Sequence, residues 1–230
     1  MSTAGATHSN NGNGSHAWAL SWTHLSVDRR SPGYCRVTFD HPPMNTLTAT
    51  TVGELSELVD LIEADTDLNV VVFGSANPDF YLTHYDSEDD PGRHTWLDLL
   101  VRLSRAPVLS IASIRGRARG AGSEFVLACD LRFASRENAL LGLFEVGLGV
   151  VRGGGPMARL PRLVGRGRAL EILLVADDLD GPRAEHYGYV NRAIADDRLD
   201  DEVDAMASRL AGFDHDAIAR VKSYVDQVVP

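Results

Sequence analysis

The chain has 230 residues, 44% hydrophobic and 23% charged, the composition of one globular domain with a core of normal size and at most a small appendage. Its net charge of −10 argues against nonspecific binding to nucleic acid or to an anionic membrane surface, yet allows an anionic ligand held by a few arginines or a helix N-terminus. No run of about 18 apolar residues occurs, so no membrane-spanning helix is expected.

Met1 to His16 is rich in Ser, Gly, Asn and Thr and has no apolar h-region. It reads as a disordered lead-in, not a signal peptide. Tyr34 to Phe39 reads as a strand ending at the His41-Pro42-Pro43 turn. Thr48 to Ala64 has helical spacing, with Val52, Leu55, Leu58, Leu61 and Ile62 on one face. Asn69 to Gly74 is a short continuous apolar run, the pattern of a strand buried on both faces. Ser87 to His94 is a polar loop and Trp96 to Leu103 a helix. Pro107 to Ile114 is a second buried strand, followed by a glycine-rich turn, a helix near Gly122 to Ala128 and a strand near Asp130 to Ala134. This repeated β-then-α order predicts an α/β fold with parallel strands and right-handed crossovers. Helices dominate from Gly153 on: Met157 to Val164, Arg166 to Val175 and Pro182 to Tyr187. A strand at Tyr189 to Ala195 intervenes before amphipathic helices at Asp201 to Leu210 and Asp216 to Val228. A composition shift near residue 196 divides a core, 17–195, from a small helical appendage, 196–230. Cys35 and Cys129 lie far apart, form no CxxC pair and read as buried thiols of a cytoplasmic protein. His24, His41, His84 and His94 show no ligand spacing, so no metal site is expected.

Gly116 to Phe125, GRARGAGSEF, joins a strand to a helix. Its glycines allow a sharp turn and close approach to a ligand. The unpaired N–H groups of the helix start would stabilise an oxyanion placed against them, where losing one such donor costs about 3–4 kcal/mol. A plain strand-to-helix turn is the alternative. The segment is no Walker A loop, since no Gly-Lys-Ser/Thr follows, and Gly147 to Gly153 is one residue too long for a dinucleotide fingerprint. Glu124, in the first turn of that helix, and Glu145, in LLGLFEVGLG, both have apolar neighbours. Carboxyls in such settings can act as general acid and base near neutrality, and two across a cavity could hold one water. A dipole-favoured helix acid and a half-exposed loop acid are the corresponding plain alternatives.

Several segments together resemble the enoyl-CoA hydratase/isomerase (crotonase) superfamily, from about Val37 to Val225. SIRGRARGAGSEFVLACDLRFAS resembles its Gly-rich turn, helix and Cys-Asp strand. LLGLFEVGLGVVRGGGPMARLPRLVGRGRALEI resembles its second catalytic loop and following helices. HPPMNTL and AEHYGYVNRAI resemble its early loop and its post-core element. The resemblance implies a ββα spiral with a shortened helical C-terminal region that serves in trimer formation. It implies an acyl-CoA substrate, with coenzyme A as part of the thioester and no covalent cofactor, and a homotrimer or hexamer as the assembly. Tyr85 and Ala121 stand where the family places its two oxyanion-hole N–H groups. Glu124 and Glu145 match the hydratase glutamates, with Glu145 the principal proton donor and acceptor and Glu124 its partner on the water. Asn45 and Thr83 fall where the coenzyme-A cleft has its walls. Thr83-His84-Tyr85 replaces a small Ala-Gly-Ala run, Phe144 replaces a Pro, and Arg152 replaces another, which makes His84 and Arg152 accessory candidates. The implied reaction is hydration of a 2-enoyl-CoA; isomerisation, hydrolysis, decarboxylation or a catalytically degenerate binding subunit are the alternatives.

Overall fold

The computed structural model describes Trp18 and residues 20–86, 93–151 and 155–228. The lead-in at 1–16, most of the polar loop at 87–94 and Arg152 lie outside the described residues.

Two sheets make the frame. In the larger, β1 (Leu25–Ser31) pairs antiparallel with β2 (Tyr34–Phe39). β2 runs parallel to β3 (Val70–Ser75), and parallel pairing continues through β5 (Leu109–Ile114), β7 (Leu131–Ser135) and β10 (Arg192–Ile194). The smaller sheet has the order β4 (Phe80–Leu82), β6 (Arg117–Arg119), β8 (Leu140–Gly142) and β9 (Leu179–Asp180). Its first three strands are parallel, and β9 is antiparallel to β8. The helices are α1 (Ala49–Ala64), α2 (Arg93–Arg105), α3 (Ala121–Ala128), α4 (Pro156–Val175), α5 (Gly181–Tyr187), α6 (Leu199–Ala211) and α7 (His215–Val228). Thus β3-β4-α2, β5-β6-α3 and β7-β8-α4 repeat one unit, each giving one strand to each sheet. This is the ββα spiral that the resemblance implies.

The apolar run of β3 faces two cores, as its lack of alternation suggests. Val71 and Phe73 join the main core with residues of α1 to α4. Val70 and Val72 join Tyr34, Ile111, Phe133 and Ile194 in a second core, which α6 closes with Leu199, Val203 and Ala207. Burying each such Leu, Ile, Val or Phe contributes about 1.5–3 kcal/mol. Residues 199–211 are therefore part of the packed body rather than an appendage; α7, with Val221, Tyr224 and Val225 exposed, is the more peripheral helix. Polar groups reinforce α6 on the sheet. Arg36 bonds Asp200 and Asp204, each at 2.6 Å, Arg115 reaches Asp196 at 2.9 Å and Asp200 at 3.0 Å, and the Tyr34 hydroxyl donates to Asp204.

Other boundaries also differ from expectation. His94 lies within α2, not in a loop. The glycine-rich turn contains a strand, β6. By contrast, the two helices expected at Met157 to Val164 and Arg166 to Val175 are present within α4, separated where expected by Gly165, whose φ of 77° and ψ of 161° are non-helical. The strand from Tyr189 shrinks to β10, because Tyr189 and Val190 still bond the Ala184 carbonyl at the end of α5.

Candidate active site

The smaller sheet explains how distant residues meet. β4, β6 and β8 are neighbours and parallel, so their C-terminal ends lie side by side, about 4.8 Å apart per strand. Thr83 to Tyr85 follows β4, Gly120 and Ala121 follow β6, and Phe144 and Glu145 follow β8. Five of the expected site residues, Thr83, His84, Tyr85, Ala121 and Glu145, thus follow the C-terminal ends of neighbouring strands of one sheet.

Hydrogen bonds lock the first two segments together. The Gly122 N–H donates to the Thr83 carbonyl at 3.2 Å, and a Cβ on Gly122 would come within 1.8 Å of the Leu82 carbonyl oxygen. Only glycine permits that approach. On its other side the Thr83 segment is tied to the early loop: Thr83 N–H to Asn45 O at 3.1 Å, Leu47 N–H to His84 O at 3.0 Å and Asp86 N–H to Leu47 O at 2.9 Å. Tyr85 pairs with Leu47 as an isolated bridge. Ala121 opens α3, and among the described residues no acceptor takes its N–H, the ordinary state of a first-turn donor.

Both glutamates are buried, Glu124 at 1% and Glu145 at 6% exposure. Glu124 lies in the first turn of α3 and accepts a hydrogen bond from the Trp96 indole N–H at 2.8 Å. Glu145 opens a 3-10 turn, Glu145–Leu148. Its Oε1 lies 2.9 Å from where a Cβ on Gly120 would stand, so its carboxyl rests against the start of α3. The Phe144 ring packs on the same glycine, and the Arg119 guanidinium sits 5.2 Å from that ring while forming an ion pair with Asp178 at 3.0 Å. The bulky replacement for proline therefore has a seat. Tyr189, fully buried, senses both acids: burial foremost, and the Glu145 and Glu124 charges among lesser causes, push its phenol up, opposed by Ser123 and Arg132.

The remaining candidates are placed differently. His84 has an exposed side chain. The Tyr85 ring meets Trp96 edge-on, with centroids 6.1 Å apart. Asn45 is 2% exposed at a φ of 52°, its Nδ2 donating to Ser75 Oγ and the Phe80 and Tyr81 carbonyls, its Oδ1 accepting from the His41 N–H. The Thr83 hydroxyl donates to the Met44 carbonyl at 3.2 Å. The polar atoms of Asn45 and Thr83 are engaged inside the protein, so what these side chains offer a ligand is the shape of the loop, not a hydrogen bond. Trp96 was not anticipated as a site residue: its contact with Glu124 spans 28 positions and leaves no local spacing. A groove of about 1370 Å³ between α2, α4 and α7 is lined by neither glutamate. Among the described residues no three His, Cys, Asp or Glu side chains gather as metal ligands would, and no helix is long and apolar enough to cross a membrane.

Comparison with known proteins agrees with this architecture. The family model for enoyl-CoA hydratase/isomerase matches residues 29–229. A crystal structure of a candidate enoyl-CoA hydratase from Streptomyces avermitilis superposes with a TM-score of 0.85 at 41% identity, covering 92% of this chain and 80% of that one. A candidate enoyl-CoA hydratase of Bacillus subtilis is 31% identical over 185 residues, 76% of this chain and 71% of the relative. Human mitochondrial methylglutaconyl-CoA hydratase is 31% identical over 176 residues, and the match spans 73% of this chain but only 52% of that protein. The chain belongs to the enoyl-CoA hydratase/isomerase family.

Proposed function

We propose that the protein adds water to a 2-enoyl thioester of coenzyme A, or runs the reverse elimination. The observation that carries this is the pair of buried carboxyls at the start of α3: Glu124 lies in its first turn, and Glu145 Oε1 rests against Gly120 at its N-cap. The Tyr85 and Ala121 N–H groups would receive the thioester oxygen, drawing electron density from the double bond and stabilising the enolate that forms. Glu124 would hold the water and take its proton as the water oxygen bonds to C3; Glu145, protonated at the outset, would deliver a proton to C2, and transfer of the proton from Glu124 to Glu145 through solvent would restore both. One water is consumed, and its hydroxyl and hydrogen end on adjacent carbons. Coenzyme A enters as part of the substrate, and the Asn45 and Thr83 loops shape the wall of its cleft. The working assembly is a homotrimer or hexamer in the cytoplasm, formed through the C-terminal helices.

Turnover of crotonyl-CoA, followed by loss of enoyl absorbance, tests this. Glu124→Gln and Glu145→Gln should each lower turnover about a hundredfold or more, the usual cost of removing a general acid–base group. Unchanged turnover in either variant would remove that residue from the chemistry. One observation favours a second reading, isomerisation of a 3-enoyl-CoA with Glu145 as sole proton shuttle: the Trp96 donation engages one oxygen of Glu124. A 3-enoyl-CoA assayed in parallel separates the two, since only an isomerase converts it to the 2-enoyl ester without net uptake of water.

A further inference from the structure

Trp96 is 1% exposed and stands on α2, one spiral repeat before the glutamate it touches. Indole nitrogen is a donor only, so its 2.8 Å contact with Glu124 Oε2 is a donation to the carboxyl oxygen. The ring is held on two sides: Phe125 lies nearly parallel to it, with centroids 6.3 Å apart at 24°, and Tyr85 meets it edge-on at 6.1 Å and 82°. The donor therefore has little rotational freedom. Its aromatic neighbours are the residue that follows Glu124 and the residue expected to supply an oxyanion-hole N–H. One side chain touches both Glu124, the proposed general base, and Tyr85, in the proposed thioester-binding loop.

We propose that Trp96 is a positioning residue: its indole N–H fixes which oxygen of Glu124 is turned away from the water, and its ring braces the Tyr85 loop against α3. This rests on the hydration reading for its kinetic consequences, though not for the bond itself. A donor held against a carboxylate favours the ionised form. Losing it removes both orientation and that preference, while the cleft for the coenzyme-A portion is untouched.

The test is Trp96→Phe, which keeps an aromatic ring and deletes the donor. The titration of the Glu124 carboxyl, read by carbon-13 NMR without substrate, should move up by about one pH unit or more. In crotonyl-CoA hydration kcat should fall about tenfold or more, with KM within about twofold and the acid limb of the kcat profile shifted upward by the same pH increment. In a Glu124→Gln background Trp96→Phe should add less than about twofold, because the two residues act as one unit. An unmoved Glu124 titration, or multiplicative losses in the double variant, would overturn the proposal. If Trp96→Phe does not fold, the wild-type indole N–H resonance decides: it must shift as Glu124 titrates and lose that titration in Glu124→Gln. If wild-type protein leaves crotonyl-CoA unchanged, hydration falls, and the carboxyl and indole titrations still judge Trp96.

Discussion

At the scale of single residues, the start of α3 depends on the absence of side chains. Gly120 has φ 55° and ψ −115°, and a Cβ there would stand 2.9 Å from Glu145 Oε1 and 3.3 Å from the Phe144 ring. Gly120→Ala should cost about 1–3 kcal/mol in thermal unfolding, from the strained backbone, and lower turnover about tenfold or more by pushing the Glu145 carboxyl aside. Gly167→Ala is the control: its Cβ meets nothing within 4 Å in α4, so it should be neutral or stabilising by up to about 1 kcal/mol. Glu124, Glu145 and Ala121 can be proposed from the sequence because they belong to compact motifs, short enough for a resemblance to carry each one. Trp96 was not, since a hydrogen bond across 28 positions depends on how two spiral repeats pack. Asn45 was legible as a loop residue, but not its inward turn onto Ser75, Phe80 and Tyr81.

At the scale of elements, the long helices can be read, whereas the strands of the smaller sheet cannot. The 16 residues of α1 repeat their apolar face often enough to define a period. Strands of three residues, β4, β6 and β8, have none, and so the second sheet went unseen, although the site hangs from it. The sequence of helix α6 is amphipathic, but its partner face on the larger sheet is non-local. Its ionic seam has a measurable signature. Burial pushes the Asp200 carboxyl up, and the hydrogen bonds and charges of Arg115 and Arg36 outweigh this and hold it below the usual carboxylate range. Asp196 is likewise held low: burial raises it, and bonds from Ser135, Arg115 and Asn138 prevail. With depressed folded values, the unfolded chain binds more protons as the pH drops below about 4, so this stabilisation is present above that pH and lost beneath it. Arg36→Met should lose about 1–3 kcal/mol at pH 7, less than the 3–5 of a fully buried pair because Asp200 is 46% exposed. Its unfolding midpoint should also decline less steeply than wild type between pH 4 and 3, to within about a unit. An equal acid slope in both proteins would place the sensitivity elsewhere.

At the scale of the whole molecule, α7 presents Val221, Tyr224 and Val225 at 63%, 57% and 60% exposure, and Leu174 and Val175 at the end of α4 are 61% and 65% exposed. Apolar surface of this kind is usually covered, in keeping with the proposed trimer. Light scattering on an eluting peak should give a multiple of the monomer mass for wild type and a smaller one for Val221→Asp with Val225→Asp; a monomer in both would end the assembly proposal. The small sheet has a consequence of its own. Strand β6 is an inner strand, paired to β4 on one side and β8 on the other, and the three loops of the candidate site hang from these same three strands. Opening β6 to solvent therefore means parting both neighbours and separating these loops. Backbone deuterium uptake at Arg117–Arg119 becomes a gauge of whether the three loops hold together: an acyl-CoA that binds across them should slow it several-fold.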